Sequence, residues 1–298
     1  MSAHDLAADL AARFGLRKRP RSWAGTCPAC GYARAFSLRV GKGARPSLYC
    51  ANGCGRDELD AVASDALGGA WTPRPAPDAA DEQAKRERKR AAALRLFSGA
   101  SPVRPSDSAG RYLAGRGLAH LVGCPMLRHH GDCPHPEGGR HPALVVKVLD
   151  AAGWPIACHR TYITPEGVKA AVDPVRASLG PIWGGAVRLT PDTVPPPEVV
   201  IGEGIETSAS AGLLLDLPAW AATSAGNLAR GVALPAGVRS VIVAADPDPA
   251  GLAAARAAAG RWLAEGRRVR VATPDTTGVD FNDLLRGRTG RAPGVAHG

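Results

Sequence analysis

The chain has 298 residues, room for one large domain or two to three small ones, and its 45% apolar share excludes a disordered chain. Its formal charge of +10 and pI near 9.7 favour an anionic partner, most commonly nucleic acid. No stretch reaches the ~20 continuous apolar residues of a membrane span, and "MSAHDLAADLAARFGL" lacks the basic segment and apolar core of a signal peptide; the expected setting is the cytoplasm, where seven reduced cysteines suit metal better than disulfides.

From the N-terminus, Leu6, Leu10 and Phe14 fall on one face of a short helix. Four cysteines follow in a Gly- and turn-rich segment: Cys27 and Cys30, then Cys50 and Cys54. Two close thiolate pairs on tight turns meet at one tetrahedral Zn2+, and a closed four-sulfur site is structural. Phe36, Leu38 and Val40 alternate with Ser37 and Arg39, the pattern of a half-buried strand. Trp23, Tyr32, Phe36 and Tyr49 are interleaved with bases, a pattern suited to single-stranded nucleic acid; Arg34, Arg39 and Lys42 are the expected contacts, with Arg45 nearby.

"GGAWTPRPAPDAADEQ" (68–83) reads as a linker and "AKRERKRAAALRLF" as a helix with a dense basic face. Residues 100–195 are mixed, with strands expected at "ALVVKVLD" and "PIACHRTYI". "CPMLRHHGDCPHPEGGRH" reads as an exposed His-rich loop; Cys124, Cys133 and Cys158 have irregular spacing and define no site. After "PDTVPPPE" the pattern becomes regular: strands at "EVVIGE", "AWAATS", "SVIVAAD" and "RVRVATP", helices at "IETSASAGLLLDL" and "AGLAAARAAAGRWLAEG". Such alternation means a parallel sheet flanked by helices, whose working crevice lies outside the carboxyl ends of the strands.

Carboxylates fall at those ends. Asp246 and Asp248 project the same way from extended chain, Glu203 closes another strand before Gly204, and Asp280 and Asp283 follow the last. Converging carboxylates make a hard-oxygen site for Mg2+ or Mn2+, the chemistry of phosphoryl transfer. Turn formation and helix capping are the structural alternative for Asp246 and Asp248. Glu206 suits the helix dipole in a first turn without any further role.

Glu-Gly after one strand, Asp-x-Asp after another and a further acid resemble the Toprim domain shared by topoisomerases, bacterial primases and some nucleases. Three stretches resemble primases more narrowly: the cysteine module with "AFSLRV" and "YCANGCG", like their zinc ribbon; "RYLAGRGL", like the entry to their polymerase core; and "GWPIACHRTYITPEGVKAAVDP", like the segment carrying a Gly-Arg pair and then a Lys. The compact Toprim proteins of phages, plasmids and genomic islands are the most similar type. The resemblance implies a zinc-ribbon module (1–67), a linker and basic helix (68–99), a mixed α+β basic subdomain (100–195) and a Toprim-type α/β catalytic domain (196–298). It implies a DNA primase, a nucleotidyltransferase that starts RNA chains from nucleoside triphosphates on single-stranded DNA. Glu203, Asp246, Asp248 and Asp280 would hold Mg2+ or Mn2+, Arg160 and Lys169 would meet template or nucleotide phosphates, and a replicative helicase would be a separate chain. The pattern departs from primases at Thr207, where an acid is usual, and at Asn282, where a second Asp is usual. A Toprim nuclease and a non-catalytic DNA-binding accessory protein are the alternatives.

Overall fold

The structure is a computed structural model that describes residues 2–41, 45–73, 78–190, 194–276 and 278–289. The chain divides into two compact units, residues 1–84 with 134–139, and residues 85–133 with 140–298.

In the first unit the elements are α1 (Ala3–Arg13), β1 (Arg17–Lys18), β2 (Trp23–Gly25), β3 (Phe36–Val40), β4 (Pro46–Cys50) and α2 (Arg56–Ala66). α1 starts where Ser2 and Asp5 cap each other's backbone amides. The four strands form an antiparallel sheet in the order β1-β2-β3-β4. As the alternation predicts, Phe36 and Leu38 are buried, and they pack with Leu10, Trp23, Leu59 and Trp71. Trp71 lies inside the expected linker, yet it belongs to this core, and its indole N–H donates to Asp60 at 2.9 Å. A single large ring outweighs the turn-forming composition around it.

The second unit takes in most of α3 (Ala79–Ser98), then β5 (Ser101–Pro102), α4 (Ser108–Gly115), β6 (Leu127–Pro134), β7 (Arg140–Leu149), β8 (Pro155–Tyr162) and β9 (Arg176–Leu179). These strands form one sheet in the order β5-β6-β7-β8-β9. Ala93 and Phe97 of α3 pack on it with Cys133, Cys158 and Tyr162. The middle of the expected His-rich loop is therefore strand β6, and its Cys133 is fully buried: an apolar cluster beneath α3 recruits the thiol that local composition assigns to solvent.

The remaining elements are β10 (Val187–Arg188), β11 (Glu198–Gly202), α5 (Ile205–Leu215), β12 (Ala219–Ala221), β13 (Ser240–Ala244), α6 (Pro249–Ala264), β14 (Arg268–Ala272) and α7 (Phe281–Thr289). They form a sheet in the order β10-β12-β11-β13-β14, parallel except for the edge strand β10. β11 and β13 read as unbroken apolar runs because helices cover both faces of a parallel sheet. The two sheets share a core running from Val103 through Leu144 and Val200 to Leu285. Among the described residues, no helix is long and apolar enough to cross a membrane.

Candidate functional site

The four cysteines of the first unit come together. Cys27 Sγ lies 3.8 Å from Cys54 Sγ and Cys30 Sγ 3.9 Å from Cys50 Sγ, with all four sulfurs within 4.8 Å of one another. Four thiolates around a tetrahedral zinc, at a bond length of ~2.3 Å, sit about 3.8 Å apart. Burial pushes the Cys50 thiol up to about 11 and raises that of Cys54, whereas hydrogen bonds from the Tyr32 backbone and Asn52 bring Cys30 down to about 7 against its own burial; a divalent cation would favour the thiolate form of all four. The set fits a closed structural zinc site. Of the expected nucleic-acid contacts nearby, Arg34 is exposed, while Arg39 donates to Glu137 at 2.8 Å. Lys42 lies outside the described residues. Glu137, buried in the first unit, also accepts from Ser22 Oγ at 2.8 Å and Arg21 N at 2.9 Å, which lowers its carboxyl below the ordinary value despite its burial.

The second unit carries a cleft of about 370 Å³ at the carboxyl edge of the parallel sheet. Glu203 follows β11, Asp246 and Asp248 follow β13, and Asp280 precedes α7; all four line the cleft. Each is placed by local chemistry. Thr207 Oγ1 of α5 donates to Asp246 Oδ1 at 2.9 Å. Asp248 caps α6, its Oδ1 accepting from Gly251 N at 2.6 Å, and Asp280 Oδ1 accepts from Asp283 N at 2.8 Å. The capping role weighed from the sequence is thus real for Asp248, but it occupies one of two carboxylate oxygens. Gly204 also lines the cleft; a Cβ there would meet nothing closer than 3.7 Å, so packing does not demand the glycine, and what it keeps open is the cleft itself.

Burial, joined by the charges of Asp280 and Asp248, pushes the Asp246 carboxyl up, against the Thr207 hydrogen bond and Arg176. The Asp246 carboxyl therefore senses Asp248 and Asp280, and among the described residues the ligand atoms that lie within 4.8 Å of one another are those of the four cysteines.

Facing the acids are Arg116, Lys169 and Arg176. Lys169 is where the sequence places a phosphate contact, and its Nζ lies 3.4 Å from Glu206 Oε1. Arg160, the other expected phosphate contact, is away from the cleft: it is buried, does not line it, and donates through Nε and Nη2 to the carbonyls of Ala177 and Ser178 at 3.2 Å. The period of two along β8 puts it on the same face as Cys158 and Tyr162, in the cluster beneath α3. Arg176 at the start of β9 faces the cleft in its stead, a cation that no motif marks.

Glu206 is the other residue that the sequence undervalued. It is 8% exposed, accepts from Arg176 Nη2 at 3.1 Å and is hydrogen-bonded by the Tyr112 hydroxyl. Burial alone would raise its carboxyl; Arg176, Lys169 and Tyr112 reverse that and hold it far below the usual range. Its helix position suggests only a dipole effect, whereas its partners come from α4, β9 and the turn before β9. Asn282 is buried and donates to Arg116 O at 2.7 Å and Ser210 Oγ at 3.0 Å, so the last motif lines the cleft with one carboxylate, Asp280, and one anchored amide, Asn282.

Comparison with known families gives two matches: a model described as "Toprim domain" over residues 198–292, and one described as "Domain of unknown function (DUF7146)" over residues 87–189. Comparison with curated proteins gives no match. Among solved structures the chain is similar to a DNA primase domain from Pseudomonas aeruginosa, with 18% identity over 67% of this chain and 74% of that one and a TM-score of 0.47. It is also similar to the Aquifex aeolicus primase (zinc binding and RNA polymerase domains), with 14% identity over 96% and 83% and a TM-score of 0.48. The primase fragment of the bacteriophage T7 primase-helicase protein matches with 14% identity over 90% and 96% and a TM-score of 0.40. Similarity at these values assigns no residue its role. The Toprim match covers the C-terminal third, the segment that runs from β11 through α7 and supplies four of the five strands of the parallel sheet.

Proposed function

We propose that this protein is a primase-like nucleotidyltransferase that joins nucleoside triphosphates into short RNA primers on single-stranded DNA. The observation that carries the reading is the composition of the Toprim cleft: five carboxylates face three cations, a formal excess of two negative charges that one divalent cation balances. In this reading Glu203, Asp246, Asp248 and Asp280 hold Mg2+ or Mn2+, which would lower the charge of the triphosphate and help ionise the attacking hydroxyl. Lys169 and Arg176, which line the same cleft, bind the phosphates. Glu206 holds both cations in place without neutralising both, since its single charge meets two. The zinc-ribbon unit, with Arg34 exposed, serves the nucleic acid.

A non-catalytic accessory role is favoured by Thr207 and Asn282, which stand where primases usually carry acids, and a nuclease would use the same cleft to cut. One assay separates them: the protein with single-stranded DNA, labelled ribonucleotides and Mg2+ or Mn2+. Short labelled oligomers that fall at least about a hundredfold in Asp246→Ala are the expected result. Shortened template would mean a nuclease, and binding without either product would mean an accessory protein.

A further inference from the structure

Tryptophan is rarely left in water, because its ring carries a large apolar area. In the second unit Trp154 is 66% exposed and Trp183 49% exposed. Both come from short, well-anchored segments. Trp154 closes the turn between β7 and β8: Asp150 N donates to Trp154 O at 2.9 Å, and Trp154 N to Asp150 Oδ1 at 2.8 Å. Trp183 stands three residues before Ala186, which is bridged in both directions to Leu149 at the end of β7. The two indoles thus leave neighbouring stretches of backbone. One side of the Trp183 ring rests on Gly231, where a Cβ would meet it at 3.1 Å.

Their place relative to the acids is set by Asn227. Its side chain accepts from Gly184 N at 3.0 Å and donates to Gly185 O and Ala222 O at 2.8 Å. Ala222 is the residue just past β12, and the next residue, Thr223, donates to Glu203 O at 2.9 Å. The Trp183 loop therefore lies on the same carboxyl edge of the parallel sheet as the cleft. The end of β12 stands between it and Glu203, and adjacent strands are ~4.8 Å apart.

Cations adjoin the Trp154 end. Arg90 of α3 donates to Pro155 O at 2.9 Å, fixing the helix over the start of β8. Phe97, Ala93, Arg90 and Arg86 follow at helical spacing along one face, so Arg86 lies one turn further, toward the turn that carries Trp154. Lys89 flanks it, and both are exposed.

We infer that Trp154 and Trp183, with Arg86 and Lys89, form a stacking platform that leads single-stranded DNA into the Toprim cleft. Every base has a face to stack, so exposed indoles beside cations bind a single strand without reading its sequence. A duplex hides those faces, so it does not fit. The inference rests on the proposed template-dependent reaction only in choosing DNA as the strand.

The test measures anisotropy of a labelled oligothymidylate with the full-length protein in Mg2+-free buffer, so that catalysis plays no part. Trp154→Ala/Trp183→Ala is expected to weaken binding at least about tenfold. Trp154→Phe/Trp183→Phe keeps aromatic faces and is expected to stay within about threefold, which separates stacking from misfolding. Arg86→Gln/Lys89→Gln is expected to flatten the log–log salt dependence by about 1.4. Asp246→Ala is expected to bind as the wild type does while making no primers. If the alanine pair binds like the wild type, or if duplex DNA binds as tightly as the single strand, the platform is overturned and the catalytic reading stands. Should the alanine pair alter self-association in sedimentation but not DNA binding, the surface is a protein interface and the inference fails. A wild-type protein that neither binds the strand nor makes primers sinks both.

Discussion

Glu206 shows at the scale of one residue how a buried charge is made tolerable. Its carboxylate meets Arg176, Lys169 and the Tyr112 hydroxyl, so its desolvation is offset by three partners. Glu206→Gln removes the carboxylate that both cations contact directly. The expected loss is about 2–3 kcal/mol at neutral pH, below the ~3–5 of a fully buried pair because the Arg176 side chain is 40% exposed. The pH dependence has a definite sign. Glu206 is held below its ordinary value, so its contribution is complete above the unfolded value of ~4.3 and is lost as pH falls through the folded one. The stability gap between wild type and Glu206→Gln in urea unfolding therefore shrinks once the pH drops below about 4. Gly251 is constrained differently: a Cβ there would sit 2.7 Å from Asp246 O and 3.0 Å from Asp246 Cβ. Gly251→Ala is expected to cost ~1–3 kcal/mol and to lower primer synthesis by more than the stability loss explains, read from thermal melts beside the labelled-ribonucleotide assay.

Among the elements, the small antiparallel sheet of the first unit depends most on a ligand. Its strands are 2 to 5 residues long, and its core holds few large side chains. Small cores of this kind usually require a metal or other staple. One zinc per chain is expected by elemental analysis, and Cys27→Ser is expected to abolish it. Chelation is expected to raise amide exchange across β2 to β4 while α5 and β13, in the other unit, keep their protection. Uniform protection with and without chelator would remove the structural role. The helices of the Toprim domain reuse their caps: Asp248 starts α6 with one oxygen and lines the cleft, so helix formation and site formation are one event.

For the whole molecule, the +10 charge and the local acid cluster act on different partners. In the proposed reading a single strand is drawn by the basic exterior, and the acids are reserved for a divalent cation. Affinity for oligothymidylate is therefore expected to fall with salt, by about 0.7 log units per decade for each phosphate contacted; a salt-independent affinity would show that the charge serves solubility alone. Much of the architecture was legible beforehand. The apolar runs ending at Gly202 and Ala244 announce buried parallel strands, and the paired cysteines announce their cluster, because both depend on local period and spacing. Hidden from that reading were Arg176 at the cleft, Arg160 turned beneath α3, and Glu206 with its partners on α4 and beside β9. These assignments follow from which face of a strand a residue takes and which distant segment packs against it. Sequence alone thus determined the strands and flanking helices of the parallel sheet, the pairing of the clustered cysteines and the acids that line the cleft, since each follows from neighbours a few residues away. Only the tertiary structure decided which cations face those acids and which carboxylate restrains them, because electrostatic partners are chosen by distance in space.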